Sequence, residues 1–117
     1  MSGLSDAQRE LVRTVGRNPG IRVGEAALEL HLAANTVSTL VTSLAASGWL
    51  RRDTDPQDAR SARLSLTPGA ERSIEERRDR RLAIVTDAMG ALSTDDQRRI
   101  VAALPALDRL VERVQAD

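Results

Sequence analysis

A mainly α fold with a small β element, ending in two long helices, is predicted by three features of the chain. Apolar residues recur at helical spacing in separate stretches, most clearly Val37, Leu40, Val41, Leu44 and Ala45, and again Ile100, Leu104, Leu107, Val111 and Val114. Period-two alternation appears at Arg63-Leu64-Ser65-Leu66, just after the turn-forming cluster Asp55-Pro56-Gln57-Asp58, so a strand–loop–strand hairpin follows the central helix. Leu32 and Ala33 leave room for only a tight turn between two of the helices, the geometry of a helix-turn-helix.

Length and composition narrow the possibilities. A chain of 117 residues with 41% hydrophobic content suits one compact domain, and with one Trp and no Phe or Tyr its core must be built from Leu, Val, Ile and Ala. The absence of Cys removes disulfides, thiolate nucleophiles and thiol-based sensing, and a single His makes a structural zinc site untenable. No cofactor or metal is expected. Without paired carboxylates at a predicted pocket or a phosphate-cradling glycine loop, the chain does not read as an enzyme. No apolar run approaches the ~20 residues of a membrane span, and the start lacks a signal-peptide pattern, so a cytoplasmic protein is expected.

The formal net charge is zero, so bulk electrostatics does not advertise a polyanion as partner. The distribution is uneven, however: residues 51–81 hold nine Arg against seven acidic residues. Every basic residue is Arg, whose planar fork of donors can hold phosphate bidentately or enter a narrow minor groove.

Taken in order, Ser5 and Gln8 form a capping box that opens a helix carrying Leu11, Val12 and Val15, which should end before Gly16, Asn18, Pro19 and Gly20. Ile21 to Val23 is an extended link able to pair with the hairpin. Gly24 to His31 forms a second helix with Ala27 and Leu30 inward, and His31 offers an end charge or a partner for free carbonyls. The third helix spans 34–47. Its start is weakly capped because Ala33 occupies the cap position, unless Asn35 substitutes. Opposite its apolar stripe lie Asn35, Ser38, Thr39, Thr42 and Ser43, and no charged residue occurs between Leu30 and Leu50. A solvated face usually carries charges. One presenting amides and hydroxyls, with no carboxylate to repel phosphates, suits the major groove, where Asn can pair with adenine and Ser or Thr can serve either edge.

After Gly48, Trp49 is expected to pack under the hairpin as the largest core side chain. Thr67 caps a fourth helix with Pro68 in its first position, running to about Ala91 through a charge-dense middle at Glu71 to Arg81. Ser93 caps the last helix, with Asp95 and Asp96 in its first turn. Pro105 deletes an amide inside that helix and should kink it.

The helix Asn35-Thr36-Val37-Ser38-Thr39-Leu40-Val41, the Gly48 exit, Asp55-Pro56, Asp58-Ala59-Arg60 and Leu64-Ser65-Leu66-Thr67-Pro68-Gly69 resemble, in order and spacing, the MarR family of winged helix-turn-helix regulators. The resemblance implies a DNA-binding lobe at 1–68 and a helical dimerisation region at 69–117 within one compact whole. It further implies a homodimeric repressor of transcription, with helix 34–47 in the major groove of double-stranded DNA and the 53–63 wing at the minor groove or phosphates. Asn35, Ser38, Thr39 and Thr42 are the candidates for bases and Thr36 for backbone. Arg60, steadied by Asp58, is the candidate for the wing contact, and Arg63, Arg51 and Arg52 are further phosphate candidates.

Leu82, Val85 and Met89 with Ile100, Leu104, Leu107, Val111 and Val114 would form the dimer contact. The family commonly carries another helix ahead of the first one here, so the dimer rests on the last two helices, or the chain is a shortened form. Many members release DNA on binding a small-molecule effector between the dimer helices and the lobe; here that pocket would lack Tyr and Phe, and no residue can be assigned to it. The alternative reading is a winged-helix protein-interaction module without DNA binding.

Overall fold

The computed structural model describes residues 3–116, with the side chains of Asp55, Asp58, Ala59, Arg60 and Ser61 outside the description. Helices and strands follow in the order α1 (Asp6–Arg17), β1 (Ile21–Arg22), α2 (Val23–Leu30), α3 (Ala34–Ala46), β2 (Leu50–Asp55), β3 (Asp58–Leu66), α4 (Pro68–Gly90) and α5 (Thr94–Ala116). The strands form an antiparallel sheet in the order β1-β3-β2. The chain divides into two compact units, Met1–Arg77 and Arg78–Asp117.

In the first unit, α1 opens with the expected capping box: Ser5 Oγ accepts from the Gln8 amide at 3.1 Å and the Ser5 amide donates to Gln8 Oε1 at 2.8 Å. The helix does not stop at Gly16, as its sequence suggests, but continues to Arg17. A Cβ at Gly16 would lie 3.3 Å from Leu66 Cδ1, so this glycine lets α1 approach β3 rather than ending the helix. Asn18 closes it, donating through both its amide and Nδ2 to Thr14 O at 3.0 Å. Gly20, at φ 88°, makes the turn into β1, where Ile21 pairs with Leu64.

The α2 helix ends at His31, which takes a left-handed conformation at φ 56°. His31 therefore serves the turn through its backbone, in a role more often given to Gly or Asn. Ala26 and Ala27 are both buried, and Val37, Val41 and Leu44 pack beside them from α3. Ala45, expected on the same side, is exposed. Eight residues beyond Val37 it has rotated to the edge of the apolar arc, where a methyl group gives little to bury.

Leu11, Val12, Val15, Val37, Val41, Leu44 and Leu64 are fully buried and make the core of this unit. Trp49 is only half-buried, packing against that core from its edge, and the adjoining Leu50 takes the inward position at the start of β2. Strand alternation allows one of two neighbours to point in, and the smaller one does so. Thr67 joins the pieces: its Oγ1 donates to Gly48 O at 2.6 Å and accepts from the Ala70 amide at 3.0 Å, tying the start of α4 to the turn between α3 and β2. Ala70 is buried and Ile74 packs on the core, so the first turns of α4 belong to this unit.

In the second unit, Ser93 Oγ accepts from the Asp96 amide at 3.1 Å, and Gln97 Nε2 donates to Met89 O at 2.7 Å, fixing the turn between α4 and α5. The α5 helix is continuous through Pro105 and none of its described residues is buried.

Candidate nucleic-acid interface

Asn35, Thr36, Ser38, Thr39 and Thr42 all lie on α3 and all are exposed. They share the face opposite Val37, Val41 and Leu44. At the helix start, Ala33 caps with backbone only and makes no side-chain bond, while Asn35 Oδ1 accepts from the Thr36 amide at 2.9 Å and partly offsets the missing cap. Two hydroxyls turn back onto the helix: Thr39 Oγ1 donates to Asn35 O and Thr42 Oγ1 donates to Ser38 O, each at 3.0 Å. At the rim, Gln8 Nε2 donates to Ser43 Oγ at 3.2 Å and anchors α3 to α1.

The hairpin β2–β3 contributes a cation to this face. Arg52 Nη2 donates to Thr42 Oγ1 at 2.9 Å and reaches Ser38 O at 3.5 Å. Its guanidinium therefore lies against the helix that has no charge of its own. The sequence names Arg52 only as one of several phosphate candidates. The signal that separates it is strand periodicity: Leu50 points into the core, so Arg52 two residues on shares its side of the strand, and Arg51 does not. Arg51 instead pairs with Asp53 at 3.3 Å, both more than half exposed. The contact between Gln8 and Ser43 spans 35 residues and leaves no sequence signal.

Arg63 is placed differently. It pairs in register with Arg22 of β1 and Asp53 of β2, and its Nη1 donates to Gly20 O at 3.2 Å. It lines a shallow cavity with Asn18, Pro19, Gly20, Ile21, Glu25 and Glu29, two of them carboxylates. The structure thus brings Arg52 into contact with α3 and sets Arg63 against Gly20 at the far edge of the sheet. Asp58 and Arg60 belong to β3, and their side chains lie outside the described residues.

The α4 and α5 residues expected at a dimer contact are exposed or, for Met89, partly buried. Ile84, Val101 and Leu110 widen the apolar surface beyond the stripe read from sequence. Among the described residues no group of three His, Cys, Asp or Glu side chains could hold a metal ion. Among the same residues no helix is long and apolar enough to cross a membrane.

A family model described as MarR family matches residues 2–61. Among solved structures, the transcriptional regulator Tm0710 from Thermotoga maritima is 30% identical, with a TM-score of 0.79, covering 98% of this chain and 81% of that one. FabT from Streptococcus pneumoniae in complex with DNA is 20% identical with a TM-score of 0.65, covering 96% and 78% of the two chains. An S. aureus MepR mutant bound to an oligodeoxyribonucleotide is 19% identical with a TM-score of 0.70, covering 92% and 80%. No curated protein matches the chain.

Proposed function

The chain belongs to the MarR family of winged helix-turn-helix regulators, and on that premise we propose that it binds double-stranded DNA as a homodimer and represses transcription from an inverted repeat. The observation that carries the reading is the exposed, uncharged polar face of α3 with the Arg52 guanidinium held against it. Such a face offers hydrogen-bonding groups and methyls to base edges without repelling phosphates, and the adjacent cation supplies the attraction that a neutral chain lacks in bulk. Asn35, Ser38, Thr39 and Thr42 serve bases, Thr36 serves the backbone, and Arg60 with Asp58 serves the minor groove or phosphates at the wing. Arg63, turned toward Gly20, would be at most a peripheral phosphate contact. Two-fold pairing through α4 and α5 sets two recognition helices about 34 Å apart, which selects half-sites one DNA turn apart. A small-molecule effector would act on this dimer, with no residue yet to assign to it.

The test is binding to a pool of short random duplexes followed by fluorescence polarisation across a salt series and sequencing of the retained fraction. An enriched inverted repeat, with affinity falling steeply as salt rises, is the expected result. Retention of no duplex at low salt overturns the reading in favour of a winged-helix module serving a protein partner.

A further inference from the structure

Every hydrogen-bonding side chain on a recognition surface has two possible audiences, the ligand and the protein itself. On α3 the structure shows which groups are already taken. Thr39 Oγ1 gives its proton to Asn35 O and Thr42 Oγ1 gives its proton to Ser38 O, both at 3.0 Å. A hydroxyl has one proton to donate. Thr42 is committed further, because Arg52 Nη2 donates to its oxygen at 2.9 Å, using a lone pair as well. When the oxygen branch of a threonine is turned back onto its own helix, the branch left facing outward is the γ-methyl. Both residues are exposed and lie three positions apart on the helix, which makes them neighbours on one surface.

We infer that Thr39 and Thr42 read DNA through their methyl groups, recognising the 5-methyl of thymine, and that Arg52 fixes Thr42 in the orientation that does so. The inference rests on the DNA-binding reading above and names the chemical feature that α3 selects. An apolar contact between a threonine methyl and the thymine methyl is one of the specific readouts the major groove permits. It also accounts for a recognition helix that lacks Arg, Lys and Gln: discrimination is carried by shape and buried methyl surface, and the cation needed for affinity is delivered from β2. In this arrangement Arg52 is a positioning residue for Thr42. Its remaining N–H donors stay available to a phosphate.

The experiment uses the inverted repeat enriched from the random pool, synthesised with each thymine in a half-site replaced in turn by deoxyuridine, which removes only the methyl. Wild-type chain is expected to lose affinity about three- to fivefold at one or two of these positions, the scale of one buried methyl. At the position facing Thr42, Thr42→Val is expected to keep the preference for thymine over deoxyuridine, since valine retains the outward methyl. Thr42→Ser is expected to abolish it. Thr39→Val and Thr39→Ser should behave in the same way at a neighbouring position. Because these side chains are exposed, all four variants should fold, and their helical circular dichroism checks that they do.

Several results would overturn the inference alone: an enriched site with no thymine in its half-sites, or equal binding of thymine and deoxyuridine duplexes at every position. A preference that survives Thr42→Ser and vanishes in Thr42→Val would likewise show that the hydroxyl does the reading. Failure of the wild-type chain to retain any duplex at low salt removes the DNA-binding reading itself, and the inference with it.

Discussion

Among the described residues, Thr14 is the one buried polar side chain of the helical core, 1% exposed, and its Oγ1 makes no hydrogen bond to any of them. A hydroxyl carried out of water without a partner costs more than a methyl in the same place, so Thr14→Val should stabilise the lobe by about 1 kcal/mol. A rise in the urea midpoint with an unchanged slope checks this, and a fall would mean that the hydroxyl finds a partner in solution. Leu64 marks the other extreme. It is fully buried where β3 is paired on both sides, with Ile21 and Arg52 opposite it, and Leu64→Ala should cost about 2–5 kcal/mol. Leu28→Ala, at a site 79% exposed, should stay within about 0.5 kcal/mol in the same denaturation series. For binding, the matching contrast is between two arginines of the hairpin. Arg52→Ala should weaken DNA binding across sequences and lower the slope of log affinity against log salt by about 1, whereas Arg63→Ala should move it far less, because that guanidinium is turned to Gly20 O. Equal effects on the salt slope would show that contact with α3 does not decide which arginine meets phosphate.

At the scale of elements, the start of α3 is a weak point that local chemistry can repair. Its cap residue Ala33 already has the extended backbone of a cap, at φ −69° and ψ 147°, but no oxygen to offer. Ala33→Ser should therefore stabilise the chain by about 1 kcal/mol, read from the urea midpoint, while leaving the uncharged face of α3 as it is. The caps also show how the sequence could be read. Ser5, Thr67 and Ser93 each sit before a helix with the right partner two or three residues on, and each bonds as those spacings predict. Local hydrogen bonding of this kind is written in adjacent residues. Elements whose limits depend on packing were less legible: Gly16 reads as a stop but serves close approach to Leu66, and Ala45 reads as inward although α3 has already turned away. The candidate site divides along the same line. The polar residues of α3 follow from periodicity, and strand alternation places Arg52 on the same side of β2 as Leu50, whereas the reach of Arg52 to Thr42 and of Gln8 to Ser43 depends on how separate elements are laid together, which no local pattern encodes.

At the scale of the whole molecule, exposed apolar surface is concentrated in one region. Of the large hydrophobic side chains exposed among the described residues, all but Leu28 and Leu32 fall between Leu82 and Val114. A chain that can bury Leu11, Leu44 and Leu64 completely does not leave a stripe of Ile100, Leu104, Leu107 and Val111 in water for want of packing ability. Their alternating spacing of four and three is that of a helix seam meeting another helix, and no described residue of α5 is fully buried within the chain. In the homodimer proposed above, a second copy would supply such a helix in the same arrangement, since a two-fold contact sets each seam against its equal. Leu107→Glu would place a carboxylate at the middle of that seam. The expected result is a monomer by sedimentation at concentrations where the wild type is a dimer, with unchanged helical circular dichroism. The same variant should lose affinity for the inverted repeat by about a hundredfold and keep its weak binding to a single half-site, because the second half-site no longer gains from the first. If sedimentation finds Leu107→Glu still dimeric, the two-fold contact lies elsewhere on the molecule; if the monomer binds the full repeat as tightly as the wild type, one lobe carries the recognition and the pairing of half-sites has no part in it.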